Sequence, residues 1–336
     1  MIKQSLLGLL FVCILTIPDE DFIRSFAGLE ATPHSPSNTT KNQLFLITSL
    51  IWTGEPISDT TKKTYKNLRK VFPKLRIIHF VSPKYFIGDR TSQNKEFFEE
   101  AVMNQDNAGL FIAPWASILS KAGIQDKSST TTSFWGSKPS PFNPDLGIDT
   151  FLDAYSSKEF TELLSTSIEI AIESDIIDPQ ISMISGWQRN NRMEAELAKA
   201  NIAADFSAVN PYPLRKQLAN YPIFQKLTKS WAHITPETNP STIETREGSL
   251  ANFPQNIGPI DYIDSDTTTS SIKRILRSQK NNSHSKTAHI SIFASTMHNT
   301  LPRFSKILKE TMNITKSQNV KLVSIVSPHL SRSVLH

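Results

Sequence analysis

The 336-residue chain reads as an α/β protein, a distorted or open (β/α) barrel of about seven parallel strands. Three observations predict it. From Gln43 onward short apolar runs alternate with helix-period segments, as in repeated βα units. The runs are apolar at nearly every position, the pattern of strands covered on both faces. About seven such units exceed a comfortable flat sheet and favour a barrel. No repeat of fixed period is visible. The composition, 38% hydrophobic and 20% charged, excludes a disordered chain. Eleven glycines include no G-x-x-x-x-G-K-[ST] or G-x-G-x-x-G, so nucleotide-phosphate loops are excluded. The net charge of +5 is scattered, apart from a run near Lys273–Lys286. That reads as a solvated face and not as a nucleic-acid surface.

The elements follow in order. Residues 1–27 read as a signal peptide or N-terminal anchor: Lys3 supplies a positive start, and Leu6 to Ile17 is an apolar run too short to span a bilayer comfortably. Residues 28–41, with Pro33, Ser35, Pro36 and Ser37, read as a linker. The folded domain is expected over 42–330. Cys13 is the only cysteine, so a mature form cut after it has neither disulfide nor thiol chemistry. An exported, cysteine-free chain fits the bacterial periplasm or cell envelope. If the leader stays uncleaved, peripheral membrane attachment follows.

Leu44 to Trp52 is the first strand, followed by a helix capped by Ser58 or Asp59 and ended by Pro73. Arg76 to Val81 is a strand, 93–104 a helix, and 107–113 a strand closed by Pro114-Trp115. The stretch 116–155, with Pro139, Pro141 and Pro144, is long and irregular, as lids and binding loops are. Ser156 and Glu159 form a capping box before a helix with Phe160, Leu163, Leu164 and Ile168 on one face. Then come the strand Ile181–Trp187, the helix 190–200 and the strand Ala203–Val209. Residues 210–256 read as irregular. A short strand near Ile260, a helix over 269–278, the strand His289–Phe293, a helix bearing Phe304, Ile307 and Leu308, and the strand 320–326 finish the chain.

Several frames then resemble one family. Gly109-Leu110-Phe111-Ile112-Ala113-Pro114-Trp115 is similar to the Gly-Leu-His-x-His-Pro-Trp strand of polysaccharide deacetylases of the carbohydrate esterase family four type. Ser133-Phe134-Trp135-Gly136, Asp145-Leu146-Gly147-Ile148-Asp149 and Ala154-Tyr155-Ser156 resemble later frames of the same family. So do Gly186-Trp187, Asp205-Phe206-Ser207-Ala208-Val209 and the strand ending Phe293-Ala294. The resemblance implies a barrel with its chemistry at the carboxyl ends of the strands and a divalent metal such as zinc held by histidines. This chain departs from it where that chemistry belongs. Phe111 and Ala113 stand in the two histidine slots, Thr53 near the carboxylate slot, Ile148 and Met183 in the slots of a histidine and an arginine, and Ala294 in that of the general-acid histidine. No H-x-H, H-x-x-x-H or H-E-x-x-H occurs, so no metal site can be argued independently.

The expectation is an exported deacetylase-like protein without catalysis and without a cofactor that binds cell-envelope glycan or a peptidoglycan fragment. The substrate-groove residues would be Trp52, Trp115, Trp135, Trp187 and Asp149, since indole rings suit sugar faces. Two alternatives stand beside it. One is an active hydrolase removing N-acetyl groups, with Glu55, Asp205 and His298 as substitute catalytic residues and a metal such as zinc. The other is an envelope scaffold that binds protein. Asp205 would need a cation in place of the missing arginine, with Arg189 or Arg192 as candidates.

Overall fold

The structure, a computed structural model, describes residues 43–137, 147–281, 288–296 and 300–325. The leader, the linker, Cys13, Asp145 and His298 lie outside the described residues. The elements run β1 (Gln43–Trp52), α1 (Asp59–Val71), β2 (Ile78–Val81), α2 (Thr91–Ala101), β3 (Asn107–Ile112), α3 (Ala116–Lys121), α4 (Ser157–Ser174), β4 (Asp178–Ile184) and α5 (Asn191–Lys199). They continue with β5 (Ala204–Asp205), α6 (Pro222–Ser230), β6 (Ser241–Thr245), β7 (Gly248–Asn252), α7 (Ser265–Asn281), β8 (His289–Ser295), α8 (Leu301–Ser317) and β9 (Lys321–Ile325).

One curled sheet holds them in the order β6-β7-β5-β4-β3-β2-β1-β8, and every pair except the β6–β7 hairpin is parallel. β1 is the hub. Its carboxyl half pairs with β2, its amino half with β9, and its middle with β8. Beyond β7 the chain runs between the β5 side and β8. Phe253 N donates to Asp205 O and Gln255 N to Ala208 O, while Ile260 N donates to Phe293 O. The Asn256 side chain spans the remaining gap, taking a bond from Ser291 N and giving one to His289 O. The two ends of the sheet are thus bridged by single contacts where a regular barrel has a ladder. The barrel is distorted, as expected, and its weakest seam lies here.

Local chemistry explains most element ends. Ser58 caps α1 by accepting from Thr61 N. The Ser156–Glu159 capping box is formed in both directions at the start of α4. The expected strand Ala203–Val209 is shorter: only Ala204–Asp205 ladders, and Val209 makes one bridge with Gln255. The segment expected to be irregular from 210 to 256 contains α6 and the β6–β7 hairpin.

Alternation along the strands divides inside from outside. Registered neighbours in a parallel sheet share a face, so Ile51 of β1, Phe80 of β2 and Ser295 of β8 lie together. So do Phe111 and Met183. This inner face carries Phe80, Phe206 and Phe253, with ring centres 5.2 and 4.8 Å apart in succession. The opposite face carries Leu50, Trp52 and His79 and packs under α1 and α2. There Trp52 Nε1 donates to His79 Nδ1 at 3.0 Å. The proton of His79 is thereby left on Nε2, 3.5 Å from Asp106 Oδ2. Burial pushes the His79 imidazole well below its ordinary value, so it is neutral. Burial alone would raise the Asp106 carboxyl, but His79 and Arg69 hold it low.

Candidate functional site

The positions that would hold a metal in the resembled family are in the packed interior. Phe111 and Met183 register side by side on the inner face, and Ala113 follows two residues after Phe111. All three are buried. They offer carbon, and thioether sulfur at Met183. Thr53, two residues past Ile51, is also buried, and its hydroxyl makes no hydrogen bond. Ser49 and Ser185 hydroxyls are in the same condition. No group of three His, Cys, Asp or Glu side chains able to hold a metal is found among the described residues. This donor set does not fit a divalent cation, which needs imidazole, carboxylate or thiolate ligands.

Ala294 corrects one reading. It registers with Leu50, which registers with His79, so it belongs to the outer, helix-facing side. The inner residues at that end of β8 are Phe293 and Ser295. Asp205 is corrected too. It registers with Ser182 on the outer face and is fully buried. It accepts from Ser182 Oγ at 3.1 Å, Ser207 N at 2.9 Å, Ser207 Oγ at 2.8 Å and Arg189 Nη1 at 2.6 Å. Arg189 is the compensating cation. Such a saturated carboxylate has a structural role and no lone pair left for chemistry. Glu55 is half-buried at the turn after β1, and its carbonyl accepts from the Tyr85 hydroxyl at 2.7 Å.

The tryptophans separate into two pairs. Trp52 and Trp115 are wholly buried and offer no face to a ligand, contrary to expectation. Trp52 is wedged edge-on among Tyr65, Phe97 and Phe98. Trp115 Nε1 donates to Thr53 O at 2.6 Å, with the Lys84 ammonium 3.5 Å above the ring. Trp135 and Trp187 are half-buried, and two tyrosines missed from the sequence join them. Trp135 lies 5.3 Å from Tyr221 and 6.4 Å from Tyr262, and Trp187 lies 6.3 Å from Tyr262 and 5.9 Å from Phe293. These rings form one connected cluster at the carboxyl end of the barrel.

The backbone under this cluster is unusual. Gly186 and Trp187 have φ of 62° and 54°, two left-handed residues in succession. Glycine is required at 186, because a Cβ there would lie 2.4 Å from the Phe134 ring. A bulky residue at positive φ is rare and costs energy, and Trp231 Nε1 holds the Trp187 carbonyl at 2.6 Å. At Gly147, φ is 117° and a Cβ would stand 1.9 Å from the Pro114 carbonyl. The Ile148–Asp149 segment is laid over the β3 end by that close approach. Asp149 O accepts from Phe134 N at 2.7 Å, which fixes the Phe134–Trp135 segment in turn.

One further residue was missed. Asp261 follows the bridge between Pro259 and Phe293. Its Oδ2 accepts from Ser295 N at 3.0 Å, and its Oδ1 is out of solvent with no partner. Burial pushes this carboxyl up to about 7, against smaller opposing pulls from Ser295, Thr300 and Arg303. Burial also raises the neighbouring Tyr262 phenol, with Asp261 and Asp149 adding to the effect. The legible signal was a carboxylate directly after the apolar stretch at Ile260, which makes a single bridge to β8 where a short strand is expected, at the end where barrel chemistry sits.

Solved structures similar to this one include members of the family that the sequence frames resemble, beside other proteins such as a 4-alpha-glucanotransferase from Thermococcus litoralis. One is a polysaccharide deacetylase, described as putative, from Mycobacterium smegmatis, with 9% identity, a TM-score of 0.48, and 88% of this chain and 99% of that chain covered. A family 4 carbohydrate esterase from Streptomyces lividans, in complex with acetate, matches at 10% identity and a TM-score of 0.41, with 86% and 94% covered. A family 4 pseudoenzyme from Bacillus anthracis matches at 9% identity and a TM-score of 0.40, with 85% and 65% covered. The likeness is one of fold. No family model matches the chain, and no curated protein does.

Proposed function

We propose that this is a deacetylase-like protein of the bacterial envelope that binds carbohydrate at the barrel mouth without cleaving it. The observation that carries the reading is a contrast between two layers. The inner face holds Phe111, Ala113 and Met183, while the rings of Trp135, Trp187, Tyr221 and Tyr262 gather at its carboxyl end, and Tyr221 is 39% exposed. Flat rings with a polar edge suit the apolar faces of sugars. The proposed ligand is an N-acetylated envelope glycan or a peptidoglycan fragment. Export rests on the sequence of residues 1–27, and cell fractionation of the full chain tests it. For binding, N-acetylated oligosaccharides are titrated while tryptophan fluorescence is read. Saturable quenching that weakens in Trp135→Ala and Trp187→Ala at unchanged melting temperature is expected. Absence of quenching, or melting of both variants, returns the rings to the core and leaves a protein-binding scaffold.

A second reading, hydrolysis of the same ligand, has Asp261 in its favour. A carboxyl with a pKa of about 7 is matched to proton transfer near neutral pH. Acetate release from N-acetylated oligosaccharides, abolished by Asp261→Asn, would establish it.

A further inference from the structure

Segments far apart in the chain bring positive charge together at the amino ends of the strands. α8 packs against both α1 and α7. It runs almost directly into β9, which pairs with β1 from Gln43 and Lys321 onward. The last turns of these helices therefore gather around the start of β1. Lys70, Lys74, Arg277, Lys280, Lys316 and Lys321 are all exposed there. Lys280 Nζ donates to Gln318 Oε1 at 2.6 Å, which ties the end of α7 to the end of α8. That acceptor is neutral, so the charge of Lys280 stays in place.

The nearby carboxylates are engaged or stand apart. Glu310 lies beside Lys306, Glu237 beside Arg274, Glu100 beside Lys66 and Asp106 beside Arg69. Asp59 and Asp266 sit at the starts of α1 and α7, about 16 and 21 Å along the axes from Lys70 and Lys280. Glu99, exposed on α2, borders the face on the α1 flank. Among the described residues none of the gathered cations is ion-paired. Helix dipoles favour cations in a last turn, which suits Lys70, Lys280 and Lys316 one by one. They do not account for Lys74 and Lys321, which lie beyond the helices. Nor do they account for α4, where Glu169, Glu173 and Asp175 are exposed at the end of the helix and Asp178 opens β4. β4 stands three strands from β1 in the sheet. This end of the barrel is thus basic on the β1 side and acidic on the β4 side, a sorting by position and not by helix polarity.

We infer that the basic side docks on a bilayer bearing anionic phospholipid. Cations spread over three helices and a strand suit a plane of headgroups better than one small anion. Any tether through residues 1–41 joins the domain at the start of β1, where Gln43 registers with Lys321, inside this face. An apolar run too short to span a bilayer and a basic patch are each weak anchors, and two such signals together hold a protein at a membrane. Docking of this kind rests on the export reading for its setting and is independent of the aromatic mouth.

The test is co-sedimentation of the purified full chain with vesicles of phosphatidylcholine, or of equal parts of phosphatidylcholine and phosphatidylglycerol. Binding to the anionic vesicles should be at least about tenfold tighter than to the neutral ones, and should fall as ionic strength rises from about 0.05 to 0.5 M. Lys70→Gln, Lys74→Gln, Lys316→Gln and Lys321→Gln combined should weaken it at least about tenfold, since each cation near such a surface is worth roughly fivefold. The melting temperature should hold, because all of these side chains are exposed. Lys121→Gln, Lys158→Gln, Lys199→Gln and Lys229→Gln combined remove the same net charge from exposed positions elsewhere and should leave binding as in wild type. Equal binding to neutral vesicles would mean that the leader inserts unaided and would overturn the inference. So would no binding to either vesicle, wild-type binding by the first variant, or an equal loss in the second. Tighter binding to soluble polygalacturonate than to anionic vesicles would assign the face to an anionic polysaccharide and overturn it too. Trp187→Ala should leave vesicle binding unchanged, and cell fractionation reads export alone, so failure of the mouth, of export and of the basic face are told apart.

Discussion

Asp261→Asn should stabilise this protein at alkaline pH and do little in acid. The folded carboxyl titrates at about 7 against an ordinary 3.8, chiefly because it is buried. A raised folded pKa means that between those values the native state holds a proton the unfolded chain has released. Wild-type stability therefore falls as pH climbs from about 4 to 7 and levels off above. Three pKa units correspond to about 4 kcal/mol at most. The residue as a whole is only half-buried, so solvent screening reduces this to about 2 kcal/mol. Asparagine copies the neutral state at every pH and keeps an acceptor for Ser295 N. Urea midpoints, compared at about pH 5 and pH 8, should show the advantage of the variant growing by about 1–2 kcal/mol across that span. A difference that does not change with pH, or a variant weaker at both ends, would refute the assignment of a buried, uncompensated carboxyl at this position.

Phe111→Ala should cost about 3–5 kcal/mol in denaturant unfolding, as loss of a core aromatic does. A midpoint near wild type would mean an open pocket beside Met183. Arg189→Ala strands the Asp205 carboxylate among Ser182 and Ser207 and should cost about 3–5 kcal/mol, while Arg189→Ala with Asp205→Ala should cost less than the sum of the two single changes. Strict additivity in that cycle would show the pair to be uncoupled. Gly147→Ala meets the Pro114 carbonyl at 1.9 Å in a left-handed backbone. It should lower stability by about 1–3 kcal/mol or more and change the near-ultraviolet signal of the Trp135 region. An unperturbed spectrum would show that the loop does not need that close approach.

Much of the fold was legible because its signals are local. Apolar runs such as Leu44–Trp52 and Gly109–Ile112 declare buried parallel strands, and the Ser156–Glu159 box declares the start of a helix within four residues. The β6–β7 hairpin escaped because Ser-Thr-Ile-Glu-Thr carries little apolar alternation. Its ladder exists through pairing with Gly248–Asn252 and then with β5, contacts that no local pattern encodes.

That Phe111 and Ala113 offer no metal donor was also readable, since residue identity alone decides it. Orientation was not. A strand apolar on both faces has no visible inside, so Ala294 was placed in a site when its register with Leu50 sets it against the helices. By sequence Asp205 is a catalytic candidate only for the alternative of an active hydrolase, and four hydrogen bonds tie it to the outer face. Trp52 and Trp115 looked like groove residues because they end strands. Which ring is buried depends on which helix covers it, and α1 and α2 cover Trp52 while the Lys84 side chain covers Trp115. Asp261 became notable only when the bridge to Phe293 carried its carboxyl under the surface beside Ser295. Residue chemistry travels with the sequence, whereas facing, burial and partnership arise from pairings between segments far apart in the chain.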